Sequence, residues 1–164
     1  MMENDLRKLT VISWSAIAAL AVLLAVVAWL AWPEPPPGDP PRAREYRDYD
    51  MCLLTDERGI QGDPASKVWQ GLQSVSVETK SRVSYLPVTG EQTEAVAAQF
   101  VATQVQQSCD IIVAVGAPQL AATAAAAARY PEVRFVTVGG TATGPNLSNV
   151  DAGSVAAHVR PMVR

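Results

Sequence analysis

An N-terminal transmembrane helix followed by a small α/β lobe, a doubly wound parallel sheet, is the architecture this sequence predicts. Three observations carry it. Residues 11–32 run for twenty-two positions without a charge, chiefly as Ala, Leu and Val. Residues 33–41 hold six prolines in nine positions. From residue 48 onward, short apolar runs of strand length alternate with longer segments of helical character. The 164 residues therefore divide into a tail (1–10), a transmembrane helix (11–32), a proline-rich linker (33–47), an α/β lobe (48–151) and a C-terminal segment (152–164). Roughly 115 residues remain beyond the linker, which suits one domain.

At about 1.5 Å rise per residue, a helix over 11–32 crosses a hydrocarbon core of about 30 Å. Trp14, Trp29 and Trp32 stand toward its ends, where indoles favour the interface. The run exceeds the apolar core of a cleaved signal peptide, and no small-x-small pattern precedes Pro33. No cysteine follows it, which excludes a lipid-modified start. Membrane lipid is thus the first expected partner, through residues 11–32. Arg7 and Lys8 precede the span, whereas Arg42, Arg44 and Arg47 lie beyond the prolines. The nearest charges place the N-terminus inside, with the soluble lobe on the extracytoplasmic side of the cell membrane. Proline at this density forbids helix and favours an extended stalk.

The lobe opens with a strand at Tyr49–Thr55 that ends in a polar turn. Asp63-Pro64 then starts a helix, the carboxylate as cap and the proline at the first helical position, running to about Val75. A second strand covers Arg82–Leu86. A helix spans Thr89–Gln107, with Val96, Phe100 and Val105 as its apolar stripe. Asp110–Val115 is the clearest strand, closed by Gly116. An alanine-rich helix follows over Pro118–Tyr130. Arg134–Val138 is the fourth strand, closed by Gly139-Gly140, and Leu147–Val150 the fifth. Strands apolar on both faces and separated by helices imply a parallel sheet covered on both sides. Right-handed crossovers give the order 2-1-3-4-5. His158 falls on a short exposed terminal helix.

Formal net charge is −3, with both signs interspersed, so no nucleic-acid partner is expected. Cys52 and Cys109 do not form a metal site with the single His158 at any familiar spacing, and no cofactor is expected. If the ends of strands one and three match, Cys52 stands level with about Val113. Extending strand three backward then puts Cys109 several rungs lower, and two buried free thiols are expected. Phosphate-loop, nucleophile-elbow and dinucleotide motifs are all missing, so no enzymatic activity is expected.

In an open parallel sheet a ligand meets the carboxyl ends of the strands. Those ends place Thr55, Asp56, Asp63, Gly116, Ala117, Gly139 and Gly140 as candidate binding residues. Tight turns explain the same glycines equally well.

Read in order, Leu53-Leu54-Thr55-Asp56, Gly59-Ile60, Trp69-Gln70-Gly71-Leu72, Asp110 to Gly116, Ala128 to Phe135 and Pro145-Asn146-Leu147 before Val150-Asp151 form a series. It resembles the first lobe of the basic-membrane-protein family, the purine-nucleoside receptors of ABC importers. The resemblance implies half of a type 1 periplasmic-binding fold, a nucleoside-like ligand, and an importer permease, a second lobe or a homodimer as partner. Where that family carries Asp-x-Ser-Phe-Asn, this chain has Gly62-Asp63-Pro64-Ala65-Ser66-Lys67, without the stacking phenylalanine. The family's second lobe is expected to be missing, the sequence stopping at Arg164. The expectation is a membrane-anchored, solute-binding-like protein with a degenerate ligand site. The alternative is a ligand-free interaction or sensor module at the membrane surface.

Overall fold

The computed structural model describes residues 20–30 and 46–163. Two compact units result, 1–43 and 44–164. In the first, residues 20–30 are helical, and Leu20, Leu23, Leu24, Val26, Val27, Trp29 and Leu30 are all exposed. Among the described residues no helix is long and apolar enough to cross a membrane. Residues 11–19 and 31–32 of the expected span, and the whole proline run, lie outside the described residues.

The second unit is a five-stranded parallel sheet with helices on both faces. Its elements are β1 (Asp50–Thr55), α1 (Ala65–Thr79), β2 (Arg82–Pro87), α2 (Glu94–Gln106), β3 (Ile111–Ala114), α3 (Ala117–Ala127), β4 (Arg134–Val138), β5 (Leu147–Val150) and α4 (Val155–Val159). A 3-10 turn, Arg160–Met162, follows α4. Strand order is β2-β1-β3-β4-β5, as the crossover rule requires.

Alternation along each strand builds two cores. Met51 and Leu53 of β1, Ile111 and Val113 of β3, and Val136 and Val138 of β4 face α1 and α4. Cys52, Leu54, Ile112, Ala114 and Phe135 face the opposite way, toward α2 and α3. Each fully buried Leu, Ile or Phe stabilises the fold by about 1.5–3 kcal/mol. On the α3 side the helix offers mostly alanine, Ala122, Ala126 and Ala127 being buried, which lets its backbone approach the sheet closely.

Four local expectations are corrected. Cys52 and Cys109 form a disulfide with Cα atoms 5.9 Å apart, rather than two free thiols. Backward extrapolation of β3 fails because the chain turns at Ser108, whose φ is +63°, and β3 begins only at Ile111. The Cys109 amide binds the Gln104 carbonyl at 3.1 Å, folding that residue back under β1. Second, Asp63 does not cap α1. The Ser66 amide that a capping carboxylate would take is held by the Gly62 carbonyl at 2.9 Å, and helix proper starts at Ala65.

The third correction concerns α2, which begins at Glu94 rather than Thr89; the Thr93 hydroxyl accepts from the Val96 amide and fixes the start. Its buried face is Ala97, Val101 and Gln104, one residue round from the expected stripe, so Val96, Phe100 and Val105 are only partly covered. The terminal segment is the fourth. Val155, Val159 and Val163 are buried in the core, and His158 is half-buried, not a surface residue.

Candidate functional site

At the carboxyl ends of β1 and β3, the loop 56–64 folds over the start of α3. A small cavity of about 70 Å³ opens there, lined by Asp56, Arg58, Gly59, Gly62, Asp63, Pro64, Ala65, Val115 and Gly116. Three of the expected residues, Asp56, Asp63 and Gly116, are thus brought together. Thr55 lies beneath them, fully buried, its hydroxyl donating to the Asp56 carbonyl at 3.1 Å. Ala117, Gly139 and Gly140 do not line this cavity.

Both carboxylates are already engaged. Asp56 accepts from the Arg58 amide at 3.0 Å and from the Arg58 guanidinium at 3.1 and 2.8 Å. Both guanidinium N–H groups meet the same Asp56 oxygen, and that charged contact raises the Arg58 pKa above its ordinary value. Asp63 accepts from the Ser66 hydroxyl at 2.7 Å and pairs with Lys67 at 3.0 Å. The Ser66 hydrogen bond first, then Lys67, holds its carboxyl below the usual aspartate value.

A polar strut missed by sequence reasoning sets the shape of this rim. Gln119, in the first turn of α3, is fully buried and donates to the Gln92 side-chain oxygen at 2.9 Å and the Thr55 carbonyl at 3.4 Å. Gln92 in turn donates to the carbonyls of Val88 and Gly90 at 2.9 and 3.3 Å. Three segments are so joined: the end of β1, the loop after β2 and the start of α3. Gln119 lies three residues past a strand-ending glycine, and nothing in that local sequence marks it as buried. Next to β4, Asn149 Oδ1 accepts from the Gly140 amide at 2.8 Å and the Thr137 hydroxyl at 3.2 Å. Gly139 and Gly140 thus serve a fastened turn.

A larger cavity, about 530 Å³, lies at the other end of the sheet, where β4 and β5 begin. Its walls include Glu132, Arg134, Phe135, Ser148, His158 and Met162. His158 Nε2 and the Ser148 hydroxyl are 2.7 Å apart. Among the described residues no cluster of His, Cys, Asp and Glu could hold a metal.

No protein-family model matches the sequence, and no curated protein does. Solved structures do. An ABC-transporter solute-binding protein from Conexibacter woesei DSM 14684 matches with a TM-score of 0.52 at 15% identity, over 62% of this chain and 34% of its own. Another from Aeropyrum pernix K1 matches at 0.52 and 22% identity, over 62% of this chain and 28% of its own. The α/β fold resembles one lobe of these proteins. A protein described as a lipoprotein fragment, from Peptoclostridium difficile 630, matches at 0.58 and 12% identity, over 70% of this chain and 95% of its own. The chain spans about a third of the length of the solute-binding proteins it matches.

Proposed function

We propose that this chain is a membrane-anchored, solute-binding-like lobe whose strand-end rim forms half of a ligand cleft and holds no solute by itself. One observation carries the reading: the rim cavity of about 70 Å³ is far below the roughly 300–1,000 Å³ of small-molecule sites. Its two carboxylates are also committed, to Arg58 and to Ser66 and Lys67. A solute would need a second surface to replace the water it loses. In two-lobed solute-binding proteins a facing lobe supplies it; here a second lobe, a second copy or an importer permease would do so.

The finer resemblance, to the basic-membrane-protein nucleoside receptors, rests on the motif series and makes a purine nucleoside the first ligand to test. Support for the anchor comes from the uncharged run 11–32 and from the exposed apolar side chains of helical residues 20–30. The buried Cys52–Cys109 disulfide supports an extracytoplasmic lobe, because such bonds persist in oxidising compartments.

Calorimetric titration of the full-length chain in detergent with adenosine and guanosine tests the central point. No saturable binding at millimolar nucleoside is expected from this chain alone. Micromolar binding would overturn the reading and make the rim a complete site.

The committed carboxylates favour one further reading: the same rim as a docking surface for a protein partner, with the ligand function lost. Importer genes beside this one favour transport; a free-standing gene favours the docking role.

A further inference from the structure

The groove where β4 and β5 begin has properties the strand-end rim lacks. Its volume of about 530 Å³ falls within the usual range for small-molecule sites. It also holds one unpaired charge of each sign. Arg134 and Glu132 both line it, and neither is within ion-pair distance of an opposite charge among the described residues. All five ion pairs among those residues lie elsewhere.

The cation is held in place by a neutral bond. Arg134 Nη1 donates to the Met162 carbonyl at 3.1 Å, and the Tyr49 hydroxyl donates to the same carbonyl at 3.0 Å. The remaining guanidinium N–H groups have no protein acceptor among the described residues. Ser148 pairs with Val136, two residues beyond Arg134 on β4, so Ser148 and Arg134 share one face of the sheet. His158, reaching down from α4, fixes the Ser148 hydroxyl at 2.7 Å. That hydroxyl also donates to the Phe135 carbonyl at 3.5 Å, so its one proton is used within the protein. Met162 contributes apolar wall, whereas the Phe135 ring turns into the opposite core.

We propose that this groove is a second small-molecule site, and that its ligand is an α-amino acid. The ligand's carboxylate would meet the free N–H groups of the Arg134 fork, through charge-assisted hydrogen bonds. Its ammonium would meet Glu132, and its side chain would lie against Met162. A simple anion leaves Glu132 facing like charge, and a simple cation leaves Arg134 doing so. A zwitterion satisfies both. The site is independent of the strand-end rim, which lies at the opposite end of the sheet.

Calorimetry on the full-length chain in detergent, with three probes, tests this. The probes are L-phenylalanine, L-phenylalaninamide (no carboxylate) and 3-phenylpropionate (no ammonium). Saturable binding of phenylalanine is expected, with each analogue at least tenfold weaker. Arg134→Gln should weaken phenylalanine at least tenfold. Glu132→Gln, an exposed residue without a structural bond, should abolish the preference over 3-phenylpropionate while the circular dichroism spectrum stays unchanged. Asp56→Asn at the other rim should leave affinity as it was. Three outcomes overturn the proposal: no saturable binding of phenylalanine at millimolar concentration, equal affinity for the three probes, or a loss of binding in Asp56→Asn with none in Glu132→Gln.

Discussion

Gly116 sits where a side chain has no room. A Cβ there would collide with Gln119 Oε1, and φ is +107°, a conformation L residues rarely adopt. Gly116→Ala is therefore expected to lower stability by about 1–3 kcal/mol, read as a shift of the urea midpoint. A variant as stable as the parent would mean that Gln119 is not wedged under the rim. The strand-ending glycine was visible in the sequence as a turn. Its buried partner was not, because a glutamine three positions later looks the same whether it faces water or a core. The cysteines teach a related lesson. Residue spacing gave the wrong distance, since Ser108 turns the chain before β3 starts. Thiol labelling of unfolded protein should find no free thiol until reductant is added, and Cys109→Ser should cost about 2–4 kcal/mol by urea unfolding. Two reactive thiols without reductant would contradict the pairing.

Among the elements, α4 and the 3-10 turn changed most between expectation and structure. The terminal segment, expected as a short exposed helix, proves to be a core element, because Val155, Val159 and Val163 recur at fours and dock against α1 and the sheet. Arg160 then reaches Glu78 at the end of α1, with contacts of 2.6 and 3.0 Å. The hydrogen bond from Arg160 holds the Glu78 carboxyl below the ordinary glutamate value. A depressed carboxylate stabilises the fold above its unfolded pKa, and the contribution fades as pH falls through the folded one. Melting temperature followed from neutral to about pH 3 should thus decline less steeply in Glu78→Gln than in the parent. An identical acid limb in both proteins would show that this pair does not tie the tail to α1. Strand ends were legible to within a residue or so, since apolar runs bounded by Gly, Asp or Pro leave little choice. Helix starts were less so: α1 and α2 begin where a backbone carbonyl or a threonine hydroxyl, not the strongest-looking capping residue, meets the first amide.

For the molecule as a whole, topology was the most legible feature. Strands apolar on both faces must be buried on both, and one handedness of crossover then fixes the order β2-β1-β3-β4-β5. The site was less legible for a physical reason. Asp56, Asp63 and Gly116 line one small cavity at the strand ends, but sequence does not say whether carboxylates in a rim are free or already paired. The larger groove at the far end arises from β4, β5 and α4 meeting, with named walls as far apart in sequence as Glu132 and Met162. No local motif marks it. The proposed function joins this lobe to a membrane, and that tether is the part most open to direct trial. Membranes from cells expressing the full-length chain can be washed in alkaline carbonate, and intact spheroplasts treated with protease. The chain is expected to stay in the membrane pellet and its lobe to be digested from outside. Release into the carbonate supernatant, or a lobe protected in intact spheroplasts, would contradict the account.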